Sequence, residues 1–382
     1  MPSWTIPGGV KRIGAGQVHP TEEGQGISVA VLDSGIDYRH SDLDANYGGG
    51  YDFVNRDADP LDDYGHGTLV AGVIAAEDNG AGVVGVGPMA DLYAVKVLDS
   101  RCSGYVIDVI AGLDWAVGHG VNVVNMSFGT SDHIRIFENA IANAYDAGLV
   151  LVAAAGNSGT CSGGDDSIAY PARFPQVIAV GATDQSDVRP CWSSTGPALT
   201  LAAPGAQIMT TYLDGGYAYA WGTSLTSPHV AGVAALVLGS GMADASGDGR
   251  VNDEVQRLLE GTAQDLGTPG WDSWYDFGLV DVAKALLFDS DVDEFTNAAE
   301  SYMGTDPFGS CPDDPSHAAW PPDFDNTTWV NILDIVSMFP HLFSYYGWEY
   351  YDSRYDLNTD LSIDILDLLK VTPHLFTGCS GS

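Results

Sequence analysis

Three short motifs supply an aspartate, a histidine and a serine, the residue types that can together carry acyl-transfer chemistry. They are Val-Leu-Asp-Ser-Gly at 31–35, Tyr-Gly-His-Gly-Thr at 64–68 and Gly-Thr-Ser-Leu-Thr-Ser-Pro-His-Val-Ala-Gly at 222–232. A serine hydroxyl is a weak nucleophile unless a base accepts its proton, and that base needs a partner that fixes its tautomer. We therefore expect Ser224 to attack a carbonyl carbon, His66 to act as general base and then acid, and Asp33 to orient His66.

Short apolar runs alternate with amphipathic stretches around these motifs. The runs at 27–32, 92–98, 121–126, 149–154 and 177–180 are nearly continuously hydrophobic, which is typical of parallel strands buried on both faces. Apolar residues recur with a helical period between them, over 66–76, 106–117, 134–147 and 223–238. This alternation predicts an α/β fold, with helices on both faces of a parallel sheet.

In such sheets, ligands bind at the carboxyl ends of the strands. Asp33 is expected just after the end of a strand, and His66 and Ser224 at the starts of helices. The three side chains are therefore predicted to meet at one edge of the sheet.

With these motifs in this order, residues 1–288 resemble the subtilases, the subtilisin-like serine endopeptidases. The resemblance implies a three-layer subtilisin-like fold and peptide-bond hydrolysis through an acyl-enzyme. It also implies an oxyanion hole made by the Asn157 side chain and the backbone N–H of Ser224. Losing such a side-chain donor costs roughly 10²–10³ in turnover.

Substrate, by the same resemblance, should bind as an extended strand between two backbone edges. These edges are Cys102-Ser103-Gly104 and Ser127-Phe128-Gly129. Ala155, Gly156 and Ala169 would line the pocket for the residue before the scissile bond. Because Ala169 is small, we expect broad specificity with a preference for large apolar residues at that position. Asp165 and Asp166, expected near the rim of the pocket, could also accommodate a basic residue.

Three residues depart from the family pattern. Leu225 follows the nucleophile where the family usually has methionine, and Leu69 replaces its second histidine. Cys102 occupies a substrate-edge position that usually holds a small residue. This cysteine is either a free thiol near the cleft or an inert buried one.

The chain has five cysteines and no Cys-x-x-Cys pair of the kind that binds zinc. In a secreted protein an odd count suggests two disulfides and one free thiol. Cys161 and Cys191 lie in predicted loops on either side of one strand, whereas Cys311 and Cys379 bracket the tail. We predict these two pairings, although spacing alone leaves the connectivity open.

Calcium ligands are implied at several places in the subtilase-like region. Those resembling the family's strong site are Asp42, Glu77, Asn79, Ala81 and Val83, which offer the oxygen atoms that Ca²⁺ prefers. The alternative is an ordinary Asn-Gly turn at 79–80. A weaker candidate lies among Asp57, Asp59 and Asp62 or Asp63. A partial loop at 244–249 lacks a carboxylate at its twelfth position.

Beyond residue 288 an acidic sequence rich in Gly, Pro and Asp replaces the β–α alternation. Residues 289–322 resemble a thrombospondin type 3-like calcium linker. Its predicted ligands occupy positions 1, 3, 5, 7, 9 and 12 of an EF-hand-type loop: Asp289, Asp291, Asp293, Phe295, Asn297 and Glu300. Glu294 stands where such loops usually have glycine.

Residues 323–382 contain an internal repeat at an offset of 33 residues, from Asp323 to Asp356. Its two copies resemble dockerin loops, which implies a small α-helical EF-hand/dockerin-like domain and a cohesin-like scaffold as a candidate partner. The predicted calcium ligands are Asp323, Asp325 and Asp334, then Asp356, Asn358, Asp360 and Asp367.

The formal net charge of −37 argues against nucleic acid and anionic membranes as partners. Apolar runs are also far shorter than the roughly 20 residues of a membrane span. No basic stretch followed by an apolar one opens the chain, so we expect a targeting segment and an N-terminal propeptide to have been removed. The acidity fits either a high-salt habitat or the solubilising surface of a secreted protein.

Together these features predict a secreted serine endopeptidase that Ca²⁺ stabilises. The contrasting hypothesis is an anchoring module that binds through its dockerin-like tail, with the protease fold only as a carrier.

Overall fold

The structure, a computed structural model, describes residues 4–244, 246–270 and 272–287, and then shorter stretches of the tail. These stretches are 296–297, 300, 303, 322, 324, 330, 332–345, 352–359, 362–363 and 365–371. The chain divides into two compact units, Met1–Gly239 with Val255–Ala283, and Ser240–Glu254 with Lys284–Ser382. The expected domain boundaries after residues 288 and 322 stay predictions. No helix among the described residues is long and apolar enough to cross a membrane.

Seven parallel strands form the sheet of the first unit. They are β1 Ser28–Asp33, β2 Tyr47–Asp52, β3 Asp91–Lys96, β4 Val123–Met126, β5 Val150–Ala154, β6 Ile178–Thr183 and β7 Leu201–Pro204. Their order is β2–β3–β1–β4–β5–β6–β7, with every neighbouring pair parallel. The predicted parallel sheet is confirmed. The apolar runs did not predict β2 or β7, because β2 contains three consecutive glycines and β7 is short.

Helices cover both faces of this sheet. The helices up to residue 287 are α1 Gly8–Arg12, α2 Ala15–Val18, α3 His66–Ala75, α4 Val106–Gly118, α5 Arg135–Asp146, α6 Thr226–Gly239, α7 Asn252–Thr262 and α8 Val282–Leu287. On one face α4 packs against α5, and on the other α3 packs against α6. The three-layer arrangement therefore follows the predicted pattern.

The two faces are built differently. Buried residues of α5 recur at positions 137, 140, 141 and 144, as in an amphipathic surface helix, and join a cluster with Leu32, Met126 and Leu151 of the strands. Each large side chain buried in this way stabilises the fold by about 1.5–3 kcal/mol. By contrast, every residue from Thr226 to Val237 of α6 is buried. The helix that follows Ser224 is thus enclosed on all sides.

An antiparallel hairpin connects the sheet to the Ser224 segment. Its strands are β8 Ile208–Tyr212 and β9 Gly216–Ala220. The hydroxyls of Thr210 and Thr211 donate to the carbonyls of Leu69 and Thr68 in α3, each over 2.8 Å. A Cβ at Gly72 would lie 2.1 Å from Oγ1 of Thr211, so α3 needs glycine there for this close approach.

In the second unit, the described tail residues show matching halves. They include helices α9 Ile332–Met338 and α10 Ile365–Val371, with strands β10 Ser344–Tyr345 and β11 Ser362–Ile363 paired antiparallel. One apolar cluster contains three pairs of residues separated by the 33-residue repeat: Phe324 with Leu357, Ile335 with Leu368, and Met338 with Val371. Each copy of the repeat therefore contributes equivalent side chains to one core.

A fully buried histidine, His229, lies within α6. Its Nδ1 donates to the carbonyl of Leu225 over 2.6 Å, and its Nε2 has no hydrogen-bond partner in the described structure. Gly9 of α1 packs so closely that a Cβ there would lie 2.5 Å from Nε2. Because burial disfavours the charged ring, the pKa of His229 is lowered to about 4. The ring is therefore neutral at pH 7.

This depressed pKa should make the free energy of unfolding depend on pH. An unfolded histidine binds a proton near pH 6.5, whereas the folded ring does so only near pH 4. Between these values the unfolded state binds more protons, so stability is lost as the pH falls through this window. When the pH is lowered from 7 to 5, we expect the free energy of unfolding of the unsubstituted protein to fall by about 2 kcal/mol more than that of His229→Leu.

Denaturant unfolding in a Ser224→Ala background, which avoids self-digestion, measures this difference at constant calcium. His119→Leu is the matched control, because its ring is exposed. A stability difference for His229→Leu that is the same at both pH values would contradict a buried neutral ring.

Candidate active site

Strand β1 and helix α3 bring Asp33 and His66 together. Asp33 is the last residue of β1, rather than the residue after it as predicted, and His66 is the first residue of α3. Nδ1 of His66 lies 2.8 Å from Oδ1 of the fully buried Asp33, which also accepts the backbone N–H of Ser34. This bond fixes the ring with Nδ1–H as donor and leaves Nε2 as the nitrogen able to accept a proton.

Opposing effects set the pKa of His66. Burial lowers it, but the charge and hydrogen bond of Asp33, with the charge of Asp62, outweigh burial, so the pKa is raised above its usual value. The surroundings therefore stabilise the imidazolium that forms when His66 accepts a proton.

The buried carboxylate of Asp62 joins the segments that carry this pair. Its Oδ1 accepts Oγ of Ser34 at 2.9 Å and the backbone N–H groups of Tyr64 and Gly65 at 3.0 and 2.8 Å. Its Oδ2 accepts the N–H and the hydroxyl of Thr68 at 2.9 and 2.6 Å. One carboxylate thus holds the end of β1 against the first turn of α3.

The weaker calcium candidate among the four aspartates at 57–63 is not supported. The oxygens of Asp62 are fully engaged by these donors. Asp63 pairs with Nζ of Lys96, a buried lysine that also donates to the carbonyl of Ser34 over 2.6 Å. Asp59 accepts the hydroxyl of Tyr38. These carboxylates stabilise the protein chain, and they do not converge on a cation site.

Ser224 lies in a 3-10 turn, Thr223–Leu225, and α6 begins only at Thr226, so its predicted position at the start of an α-helix is corrected. Its Oγ donates to the carbonyl of Ser127 over 3.1 Å in this rotamer, and not to His66. Oγ of Ser127 in turn donates to the carbonyl of Ser224 over 2.9 Å. The turn packs directly against α3, which places Ser224 beside the helix that begins at His66.

Thr223 orients the side chain of Asn157. Oδ1 of Asn157 accepts the N–H of Thr223 at 2.9 Å and its hydroxyl at 3.1 Å. Oγ1 of Thr223 also accepts the N–H of Gly156 at 3.1 Å. Because the amide oxygen is occupied, Nδ2 remains as the donor, and it lies 3.5 Å from the position of a Cβ on Gly222. The sequence motifs did not indicate this role for Thr223.

The two predicted substrate edges differ in availability. In the segment 102–104, both backbone groups of Ser103 are occupied by Asp99. The carbonyl of Ser103 accepts the N–H of Asp99, and the N–H of Ser103 donates to Oδ1 of Asp99. Gly104 makes no backbone hydrogen bond within the described chain, and neither do Phe128 and Gly129 of the other edge. These three residues therefore keep free backbone groups for an extended peptide.

The predicted pocket residues come together around Ala169. Its N–H donates to the carbonyl of Ala155 over 2.9 Å. A Cβ on Gly129 would lie 2.8 Å from Cβ of Ala169, and one on Gly156 would lie 3.4 Å from it. Glycine at 129 and 156 thus leaves the space beside Ala169 open.

One predicted disulfide, between Cys161 and Cys191, is confirmed, and Cys102 is a free cysteine. Cys311 and Cys379 lie outside the described residues. Next to the disulfide, the buried guanidinium of Arg189 donates to the carbonyls of Thr160 and Ser193, both over 2.7 Å. This arginine therefore joins the two loops that the disulfide connects.

Comparison with known proteins identifies the family. The profile described as the Subtilase family matches residues 24–278, which is more than half of the chain. The chain belongs to the subtilase family. As in the relatives, this assignment makes it a serine endopeptidase.

Individual relatives cover the same region of this subtilase. Subtilisin DY from Bacillus licheniformis is 41% identical over 283 residues, which cover 74% of this chain and 98% of that protein. Subtilisin E from Bacillus subtilis is 42% identical over 283 residues, 74% of this chain and 71% of the relative. The thermostable alkaline protease of Halalkalibacterium halodurans is 41% identical over 284 residues, 74% of each chain.

Two departures of this subtilase from the family pattern occur in the same apolar cluster. Leu225 is buried with Val73 and Ile208, and Leu69 packs against that cluster. Leu225 and Leu69 therefore contribute to the same apolar cluster.

The predicted calcium residues of the subtilase domain lie around the buried carboxylate of Asp42. Oδ2 of Asp42 accepts the N–H of Val83 at 3.0 Å. The backbone carbonyl of Asp42 accepts the N–H of Glu77 at 2.8 Å. Asn79 bonds to Ser41 through Nδ2, and its Oδ1 accepts the N–H of Ala81 at 3.0 Å. The side chain of Glu77 instead accepts the N–H of Ala45. The hydroxyl of Tyr217 also donates to Oδ2 of Asp42 over 2.9 Å, so these oxygens accept hydrogen bonds from within the chain. Carboxylate and amide oxygens are the types of ligand that Ca²⁺ prefers.

In the tail, part of each predicted ligand set is described. Asp334, Asp356 and Asp367 are fully buried, and the N–H of Asn358 donates to Oδ1 of Asp367 over 3.1 Å. Asn297 and Glu300 are also buried, and Nδ2 of Asn297 donates to the carbonyl of Lys284. The predicted ligands outside the described residues are Asp289, Asp291, Asp293, Phe295, Asp323, Asp325 and Asp360.

The link between Thr223 and Asn157 makes a testable prediction. Thr223→Val removes the hydroxyl that holds Oδ1 of Asn157, so Nδ2 should be less well aligned with the developing oxyanion. We expect kcat to fall by about tenfold with little change in KM, because this donor acts mainly in the transition state. In an Asn157→Ala background the same substitution should have a much smaller effect on kcat.

Steady-state kinetics on the four proteins of this double-mutant cycle measure the coupling. Thr200→Val is a matched control, because its hydroxyl also accepts a backbone N–H but lies in another loop. If Thr223→Val lowers kcat equally in both backgrounds, Thr223 does not act through Asn157.

Proposed function

We propose that this subtilase is a secreted, calcium-stabilised endopeptidase of broad specificity that prefers large apolar residues before the scissile bond. The observation that carries the proposal is the 2.8 Å hydrogen bond between Asp33 and His66, on a helix that packs against the turn bearing Ser224. This arrangement suits nucleophilic attack on a carbonyl with transfer of the proton to a fixed imidazole.

In the proposed reaction, Oγ of Ser224 attacks the peptide carbonyl while Nε2 of His66 accepts the hydroxyl proton. Asp33 stabilises the resulting imidazolium. The backbone N–H of Ser224 and Nδ2 of Asn157 hold the oxyanion. His66 then gives its proton to the leaving amine, which forms the acyl-enzyme. Water, activated by His66, hydrolyses that ester and restores Ser224.

The proposed specificity rests on the open space beside Ala169. Gly129 and Gly156 leave room there for a large side chain. The charge of Asp166 near the rim is matched by an ion pair with Arg173. An apolar residue is therefore favoured over a basic one before the scissile bond.

Calcium, in this proposal, is held by Asp42, by Oδ1 of Asn79 and by the carbonyls of Glu77, Ala81 and Val83. A bound calcium ion would compensate the negative charge of Asp42 and stabilise the loop at 77–83. Glu77 supports the idea, since burial and the charges of Asp44 and Asp42 raise the pKa of its carboxyl and mark an excess of negative charge. Further calcium sites are proposed in the tail loops at 289–300, 323–334 and 356–367.

A second candidate function is anchoring through the tail. It is favoured by the apolar cluster to which both repeat copies contribute equivalent residues. A tail of this kind would dock onto a cohesin-like scaffold and localise the protease near its substrates. Secretion, and a propeptide that precedes the mature enzyme, are part of the same proposal.

The catalytic assignment is tested by Ser224→Ala and by a fluorophosphonate probe. We expect the unsubstituted enzyme to digest a denatured protein mixture, mostly after large apolar residues, and to be labelled at Ser224. Ser224→Ala should lose activity by on the order of 10⁴–10⁶ and should not be labelled. Mass spectrometry of the products and of the labelled peptide provides both measurements. A folded protein that neither cleaves nor labels would favour the anchoring function alone.

The calcium assignment is tested by thermal unfolding in the Ser224→Ala background. We expect a chelator to lower Tm by about 5–10 °C, as loss of a few kcal/mol of binding free energy would do in a protein of this size. Asp42→Asn should lower Tm in the presence of calcium and reduce the additional loss on chelation. Asp114→Asn, at an exposed position of α4, is the control.

An unchanged Tm on chelation would contradict stabilisation by calcium. If the chelator lowers the Tm of Asp42→Asn as much as that of its parent, the stabilising ion is not at Asp42.

A further inference from the structure

The free thiol of Cys102 lies beside the Asp33–His66 pair. Ligating atoms of Asp33, His66 and Cys102 all lie within 4.8 Å of one another. The backbone of Cys102 is in the left-handed region, at φ 56°, and its N–H donates to the carbonyl of Asp99. The turn that starts at Asp99 thus presents a sulfur atom to the two residues.

A second observation concerns the other oxygen of Asp33. Oδ1 accepts both hydrogen bonds of this carboxylate, whereas the fully buried Oδ2 has no partner in the described part of the chain. A buried oxygen without a donor is unfavourable, and such a group needs a specific explanation. A cation beside Oδ2 would supply one.

We propose that Asp33, His66 and Cys102 form an inhibitory binding site for a soft divalent cation such as zinc. A carboxylate, an imidazole and a thiolate are the three protein ligands that zinc accepts, with water in the fourth position. The calcium sites proposed above use oxygen ligands only, so the two kinds of site should select different ions.

The thiol is surrounded by negative charge, because the carboxylates of Asp33, Asp62 and Asp99 all act on it. This charge favours a bound cation. When zinc binds, the S–H bond breaks, the S–Zn bond forms and the proton leaves to solvent. The two charges of Zn²⁺ then balance those of the Cys102 thiolate and Asp33.

Metal bound here would stop catalysis through either nitrogen of His66. Coordination at Nδ1 replaces the hydrogen bond to Asp33 that orients the ring. Coordination at Nε2 takes the lone pair that must accept the serine proton. Inhibition should be reversible, because no covalent bond of the chain changes.

Binding is measured first, in the Ser224→Ala protein, by calorimetric titration with zinc chloride at pH 8 in millimolar calcium. We expect one zinc site that is weakened at least about tenfold when Cys102→Ser is added, since even the loss of an outer-shell partner weakens a metal site by about 10–100-fold. Buffers of different ionisation enthalpy should report about one more proton released per zinc than in the Cys102→Ser protein. Cobalt should show a thiolate charge-transfer band only when Cys102 is present. Equal zinc affinity and proton release with and without Cys102 would overturn the proposal.

Inhibition is measured next, with each active enzyme compared with its own rate in the absence of zinc. Cys102→Ser should need about tenfold more zinc for half-inhibition than the unsubstituted enzyme. Ser103→Ala, in the same turn, should keep the original zinc sensitivity because it leaves the thiol in place. If Cys102→Ser and the unsubstituted enzyme are equally sensitive to zinc, the inhibitory site is refuted. Calorimetric binding that depends on Cys102 would still support the site if the proposed peptidase activity failed, so the two proposals are tested separately.

Discussion

The arrangement of the site depends on the hydrogen bonds that the carboxylate of Asp62 accepts. This carboxylate is buried and accepts five hydrogen bonds, from Ser34 next to Asp33, from the turn at 64–65 and from Thr68 in the first turn of α3. Leaving one buried donor of such a network unsatisfied costs about 1–3 kcal/mol. Asp33 is at the end of a strand and His66 at the start of a helix, so their distance depends on what holds these two ends together. Asp62 does so, and its charge also raises the pKa of His66.

A comparable set of bonds holds the nucleophile. Ser127, just after β4, donates to the carbonyl of Ser224, and Asn157, after β5, accepts two bonds from Thr223. Because β1, β4 and β5 lie in one parallel sheet, their carboxyl ends share an edge, and the residues that follow them converge there. The hairpin of β8 and β9 completes the frame by bonding to α3 through Thr210 and Thr211. Polar groups that are not themselves reactive thus set the positions of those that are.

A feature of this structure was predictable from the sequence only where neighbouring residues form a recognisable pattern. Buried strands are continuous apolar runs, so β1, β3, β4, β5 and β6 were predictable, whereas the glycines of β2 carry no such pattern. Asp33, His66 and Asn157 lie in distinctive motifs. Asp62 does not, since an acidic stretch at 57–63 cannot reveal which carboxylate folds inward. From the sequence, Asp62 or Asp63 is only a candidate calcium ligand. The burial of Lys96 is likewise not predictable, because it depends on a partner, Asp63, that is distant in sequence. Thr223 acts through a contact across the fold, which neighbouring residues do not encode.

The electrostatic design of the site has two consequences that cannot be separated. Negative charge from Asp33 and Asp62 stabilises a protonated His66, which acyl transfer requires. Burial, together with the same charge, raises the pKa of the Cys102 thiol, and this charge would stabilise any cation that replaced its proton. A site that already holds Asp33 and His66 therefore binds zinc strongly only if a third strong ligand is present. A small residue at position 102 would provide none, whereas cysteine provides sulfur within 4.8 Å of the other ligating atoms. Sensitivity to metal would then follow from the same field that favours proton transfer.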